Sequence, residues 1–190
     1  MGDGLRVAVC ARPRRYNMRM AKRAVKGAPQ TRGGQGTPAT LALTRAGVPF
    51  EPRSYKHDPA ETDFGAEAAR ELGIAPDRVF KTLLVEVDGR LTVAVVPVSG
   101  KLDLKAIAAA CEGKRAVMAD PSLAERKTGY VVGGISPLGQ RTLLPTVIDE
   151  SARAHHTVLV SGGKRGFDIE LAPADLAMVC AATWAEIGRA

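Results

Sequence analysis

Residues 79–98 read VFKTLLVEVDGRLTVAVVPV, and the reading of this stretch decides the fold. Val79 to Val87 and Leu91 to Val98 are two runs of strand length, rich in β-branched residues and joined by Asp88-Gly89. An Asp-Gly pair between such runs predicts an antiparallel hairpin, because both turn positions require positive φ and these two residues tolerate it. Alternation along the first strand puts Lys81 on one face with Val79, Leu83 and Val85, so an ammonium stands among apolar neighbours. Spacing alone leaves two readings of that lysine. Either the cation is aimed into a pocket to meet phosphate or a developing oxyanion, or its stem lies on apolar surface while its head reaches water.

Outward from the hairpin, helices and strands are mixed. Thr37-Pro38 predicts a helix start and Gly47 its end; Val48 to Tyr55 reads as a short strand interrupted by Pro52; Phe64 to Leu72 reads as a helix ended by Gly73. Downstream, Lys101 to Cys111 is predicted helical with Asp103 as a cap, and Pro121 to Lys127 is a shorter helix closed by Gly129. Thr142 to Ile148, Thr157 to Val160 and Phe167 to Leu171 read as strands, Pro173 to Ala182 as a last helix, and Trp184 to Ile187 as a short closing strand. Hairpin-connected strands mixed with helices predict an α/β or α+β domain on a mixed or largely antiparallel sheet.

The chain has 190 residues, 45% of them apolar and 25% charged, the profile of a globular protein with one domain-sized core. Its apolar runs are of strand length, far below the roughly 20 residues that cross a bilayer, and no apolar segment of leader length follows the N-terminal arginines. A cytoplasmic location is expected. Cys10, Cys111 and Cys180 are odd in number and far apart, which argues against a disulfide framework or a zinc site; Cys111 and Cys180 sit in alanine-rich helical patterns as small core hydrophobes. The net charge of +7 is concentrated at one end, since residues 1–36 hold nine Lys or Arg and only Asp3 as an acid. That segment, rich in Gly, Gln and Pro beyond its arginines, is expected to be a disordered extension, either solvated or an arm for RNA phosphates. Met18 and Met20 are alternative start points within it.

Two glycine-rich segments adjoin strand-like runs: Gly129 to Gly139 reads GYVVGGISPLG and Ser161 to Gly166 reads SGGKRG. Each is either a tight turn or a cradle of backbone N–H groups suited to phosphate or to a carbonyl oxygen gaining charge, and two of them near an inward lysine favour a pocket. Familiar hydrolase motifs do not fit. Ser136 lies in G-x-S-x-x-G and is followed by Pro137, which has no N–H to offer an oxyanion, so a nucleophile elbow is excluded. Neither Ser99-Gly100-Lys101-Leu102 nor SGGKRG has the spacing of a phosphate-binding P-loop. His155-His156 lacks metal-ligand spacing, and His57 stands alone beside Asp58, so surface or hairpin roles are expected for all three. No cofactor is implied.

Taken together, TPATLALTRAGVPF (37–50), FKTLL (80–84), GYVVGGISPLG (129–139) and SGGKRGFDIEL (161–171) resemble the YbaK/EbsC group of the YbaK/prolyl-tRNA-synthetase-associated editing domain family. The resemblance covers residues 37–190 in order and leaves only the basic extension outside. It implies a compact α/β domain around a curved, barrel-like mixed sheet flanked by helices. It implies a free-standing deacylase of mischarged aminoacyl-tRNA, above all Cys-tRNA(Pro), with the tRNA acceptor end and prolyl-tRNA synthetase as partners and no membrane association. By the same resemblance Lys81, Gly133 and Gly134 are the catalytic positions, and Tyr55, Phe64, Thr82, Ser161, Gly162, Gly163 and Asp168 bind substrate. In the chemistry implied, the substrate's own thiol attacks its ester carbonyl, so no enzyme nucleophile is needed, and the Gly133 and Gly134 amides support the oxyanion. A deacylase of another mischarged tRNA such as Ala-tRNA(Pro), using water as nucleophile, and a non-catalytic module binding tRNA or a synthetase are the alternatives.

Overall fold

The computed structural model describes residues 36–189. Residues 1–35, and with them Cys10 and nearly all of the expected basic extension, lie outside the described residues.

The hairpin forms as its sequence dictates. Strand β2 (Val79–Val87) pairs antiparallel with β3 (Arg90–Pro97) across Asp88 and Gly89, whose φ values of 46° and 78° are both positive. Asp88 adds a second function, its carboxylate accepting the backbone N–H groups of Lys114 and Arg115. Val93 to Val96 are buried completely, which explains why β3 reads as an unbroken apolar run: it is covered on both faces.

Around this pair, β1 (Glu51–Ser54), β5 (Ala116–Met118), β6 (Thr146–Asp149), β7 (Val158–Lys164), β8 (Phe167–Leu171) and β9 (Thr183–Ala185) complete an eight-stranded mixed sheet in the order β1-β8-β7-β2-β3-β6-β9, with β5 also on β2. Pairings β1/β8, β7/β8, β2/β3 and β2/β5 are antiparallel, whereas β2/β7, β3/β6 and β6/β9 are parallel. One face packs α1 (Pro38–Ala46) and α5 (Pro173–Cys180) over Phe80, Leu84, Val93, Val95 and Ile169; the other packs α3 (Leu104–Ala110) over Val85, Val87, Ala94 and Val96. A third cluster seats α2 (Phe64–Leu72) on Val79 and Leu159. Cys111 and Cys180 are buried in these layers, as the sequence predicts.

Capping chemistry sets the helix starts. Thr37 Oγ1 accepts the Thr40 N–H, Asp63 accepts Ala66 N–H, Asp103 accepts Lys105 and Ala106 N–H, and Asp120 accepts Leu123 N–H at the start of α4 (Pro121–Thr128). Several boundaries differ from the sequence reading. The helix expected from Lys101 begins at Leu104, because Lys101–Leu102 form β4, paired with β10 (Gly188–Arg189) in a separate two-stranded ladder. The strand expected over Thr142 to Ile148 is confined to β6, since the residues before Thr146 run through Pro145 with no ladder of their own. Likewise the strand expected over Val48 to Tyr55 contracts to β1. No expectation covered β5, whose three residues are too few, and its last two too exposed, to leave a periodic signal.

One irregularity of the sheet positions the site. On the edge of β2 turned away from β3, β7 pairs with Val79 and Phe80, and β5 pairs with Val85 to Val87. No register spans Lys81 to Leu84 on that edge, and the Ala119 N–H, donating to the Leu84 carbonyl at 3.0 Å, closes the gap at one end. No helix among the described residues is long and apolar enough to cross a membrane.

Candidate active site

The gap between β7 and β5 opens into a cavity of about 340 Å³. Its floor is Val79 to Leu84 of β2, and its walls come from the start of α2, the 131–135 loop, the Met118 to Pro121 segment, and Ser161 and Asp168 on β7 and β8. The volume is at the small end of ligand pockets, enough for an amino acid joined to a sugar.

Polar groups converge on this cavity from three sides. Lys81 donates from Nζ to the Gly100 carbonyl at 2.7 Å, so one ammonium hydrogen is committed and two are left to a ligand. Burial holds the Lys81 pKa below its ordinary value; the charge of Asp63 opposes that shift and Lys101 adds to it. Thr82 Oγ1 is buried without a hydrogen-bond partner, which a folded chain tolerates where a ligand group completes it. Asp168, only 6% exposed, has its carboxyl pushed up to about 6 by burial. Tyr55 has its phenol pushed up to about 12, by burial first and then by the charges of Asp168 and Glu67. Thr62, Asp63 and Ser161 add further polar groups, and Val98, Met118, Pro121, Ile135 and the Phe64 ring supply apolar wall.

Of the ten positions predicted from the sequence, the structure brings seven to this cavity: Lys81, Thr82, Gly133, Tyr55, Phe64, Ser161 and Asp168. Gly134, Gly162 and Gly163 lie behind it. The Gly134 N–H donates to the Val131 carbonyl at 2.9 Å in a turn, and a Cβ at Gly134 would stand 2.9 Å from Lys164 Cα, so that glycine serves close approach of two backbones and its amide is already engaged. Of the expected pair of amide donors, the Gly134 N–H is thus already bonded within the loop. Gly133 has φ +87°, and a Cβ there would lie 2.8 Å from the Phe64 ring, so only glycine lets the loop and the aromatic wall touch. In the SGGKRG segment Ser161–Lys164 continue β7, with a register shift between Ser161 and Lys164, and only Arg165–Gly166 form the turn into β8; Gly162 and Gly163 make room there for the rings of Phe167 and Tyr130.

Two features escaped the sequence reading. Asp63, at the cavity edge, both caps α2 and supports the Lys81 charge; an Asp immediately before a predicted helix was a signal available for it. His57 is not a lone surface residue: its Nδ1 lies 2.8 Å from Oε2 of the fully buried Glu67. The two lie ten positions apart, across the irregular 58–63 segment and into the first turn of α2, a spacing with no periodic signature.

Comparison with known proteins is consistent with this geometry. The family model for the aminoacyl-tRNA editing domain matches residues 58–179. A protein of Enterococcus faecalis, EbsC, provisionally named a Cys-tRNA(Pro)/Cys-tRNA(Cys) deacylase, is 38% identical over 157 residues, which is 80% of this chain and 93% of that protein. Among solved structures, one described provisionally as a trans-editing enzyme for prolyl-tRNA synthetase superposes with a TM-score of 0.69 at 24% identity, covering 80% of this chain and 96% of its own. The hypothetical protein APE2540 superposes with a TM-score of 0.73 at 22% identity, over 80% of this chain and 100% of its own. These two likenesses concern the fold.

Proposed function

The chain belongs to the aminoacyl-tRNA editing domain family, and from that premise we propose that it is a free-standing deacylase that removes cysteine from Cys-tRNA(Pro) in the cavity at the break in the sheet. The observation that carries this reading is the convergence, in one small space, of the Lys81 ammonium, the unpartnered Thr82 hydroxyl and the buried Asp168 carboxyl beside the Gly133 loop. No side chain there has the arrangement of an activated nucleophile, and for a cysteinyl ester none is required. The substrate thiol, with a pKa of about 8.5, is a few per cent thiolate at neutral pH and strongly nucleophilic. Its sulfur bonds to the acyl carbon, the bond from that carbon to the ribose oxygen breaks, and the proton lost from sulfur ends on the ribose hydroxyl. The cyclic thioester then meets water and opens to cysteine.

The protein's part is positioning and charge support. The Gly133 N–H and the two uncommitted hydrogens of Lys81 are assigned to the carbonyl oxygen as it gains charge and to the terminal nucleotide. Partners on this reading are the tRNA acceptor end and, for recruitment, prolyl-tRNA synthetase; the place of action is the cytoplasm, where translation occurs. Residues 37–190 form the editing unit and the basic segment before them an extension outside it.

The test is deacylation of Cys-tRNA(Pro) by purified protein, compared with Lys81→Ala. The wild type is expected to release cysteine, and the variant to be slower by about a hundredfold, the usual scale for loss of one oxyanion-stabilising donor. Intact Cys-tRNA(Pro) with the wild type, or an undiminished rate in the variant, overturns the assignment.

A further inference from the structure

Beside the cavity lies an ionisable pair, a part-exposed histidine on a fully buried glutamate, with no part in the chemistry above. Glu67, in the first turn of α2, is 0% exposed. Its two oxygens are both engaged: Oε1 accepts the Asp58 N–H at 2.6 Å, and Oε2 accepts the proton on His57 Nδ1 at 2.8 Å. A carboxylate so fully withdrawn from water is costly unless fully satisfied, so its place is justified by what it holds. It holds the irregular connection between β1 and α2, which has no ladder of its own and which carries Tyr55, Asp63 and Phe64 to the cavity.

The contacts continue from the pair to the reacting centre. The His57 ring lies 5.7 Å from the Phe64 ring, tilted by 44°. The Arg165 guanidinium sits 4.9 Å from the Phe64 ring centroid while donating from Nε and Nη2 to the Val132 carbonyl at 3.0 and 2.9 Å. Phe64 in turn lies flush against Gly133. The Phe64 ring is thus contacted by His57, by Arg165 and by the Gly133 loop that lines the cavity.

We infer that His57 and Glu67 are positioning residues for the deacylation: the hydrogen bond between His57 Nδ1 and Glu67, with the Asp58 amide on the other carboxylate oxygen, fixes the 55–63 connection and so holds Phe64 in the orientation that sets the Gly133 loop. The inference rests on the deacylase reading, and its test separates the two. Full-length His57→Ala, His57→Phe and His57→Asn are compared with wild type on Cys-tRNA(Pro). Asn can place an amide N–H where Nδ1 donates, whereas Phe keeps a ring but donates nothing. Alanine and phenylalanine variants are expected to lose about tenfold to a hundredfold in kcat, the scale of a small misplacement at a preorganised centre, with KM within about twofold. Asparagine is expected to restore kcat to within about threefold of wild type.

In parallel, the Gly133 backbone amide is followed by 1H–15N NMR, where the Phe64 ring current reports their relative placement without any catalysis. The amide resonance is expected to move in the Phe variant and return in the Asn variant. Wild-type protein inactive on Cys-tRNA(Pro), with the Gly133 resonance still moving as stated, overturns the deacylase reading and leaves standing only the coupling of His57 to the Gly133 loop. A folded Phe variant with wild-type kcat and an unmoved Gly133 resonance overturns the positioning reading. So does a reduced kcat that Asn does not rescue. Should the Ala variant not fold, the Phe and Asn pair decides.

Discussion

Replacing Asp168 by Asn should make the protein more stable near neutral pH and progressively less so, relative to wild type, as the pH falls. The reason is burial. Asp168 is 6% exposed and its pKa is pushed up from 3.8 to about 6 in the folded state. Between those two values the folded chain binds a proton that the unfolded chain releases, so stability falls as pH rises through that window, and the full cost is present above about 6. A shift of this size corresponds to about 3 kcal/mol. Asn carries no such penalty, and whatever its amide gains or loses in packing is independent of pH. The gap between variant and wild type should therefore widen by about 2.5 kcal/mol from pH 4 to pH 7.5, or roughly 5–10 °C in Tm for a domain of this size. Urea unfolding of both proteins at half-unit pH steps measures it, contributions of the other acids cancelling in the difference. A gap that stays constant, or that widens toward acid, refutes the assignment of a destabilising buried carboxyl. Deacylation by the variant should fall, since the group retained at this cost faces the cavity.

Glu170, two residues along β8, should behave with the opposite sign. Burial pushes its pKa up, but hydrogen bonds from Thr157 and Arg53 and the charges of Arg53 and Arg78 outweigh this and hold it below its usual 4.5. Its stabilisation is therefore complete above 4.5 and lost as pH falls through the lowered value, so Glu170→Gln should cost about 1–2 kcal/mol at pH 7, moderated by the exposure of the two arginines, and nothing at low pH; denaturation at pH 7 and pH 3 checks the contrast. Gly133→Ala should lose about 1–3 kcal/mol, from an alanine at φ +87° and a Cβ driven 2.8 Å from the Phe64 ring. It should also lose about a hundredfold or more in deacylation rate as the loop amide moves. Wild-type activity in a stable Gly133→Ala protein removes the amide from the account.

Where local chemistry decides, the fold was legible. The hairpin at Asp88-Gly89 and the caps at Thr37 and Asp103 are each fixed by two to four adjacent residues, and all three stand as the sequence predicts. Lys81 was marked by a charge within a strand of apolar neighbours. The break along β2 was illegible, because it arises from where β7 and β5 stop pairing, and those strands lie roughly 30 to 80 residues away in sequence. Gly134 and Gly163 carry the same sequence signal as Gly133, yet packing sends the first into a turn and the second beneath Tyr130. Glycine patterns report close approach; they do not say whether a ligand or another backbone is what approaches.

The central claim is that this cavity presents a cysteinyl ester whose own sulfur does the cleaving. Single-turnover deacylation of Cys-tRNA(Pro) and of the same tRNA carrying S-methylcysteine measures it most directly. The account predicts rapid release of cysteine and a methylated ester that survives at the uncatalysed rate. Equal release from both substrates would contradict it and transfer the attack to water.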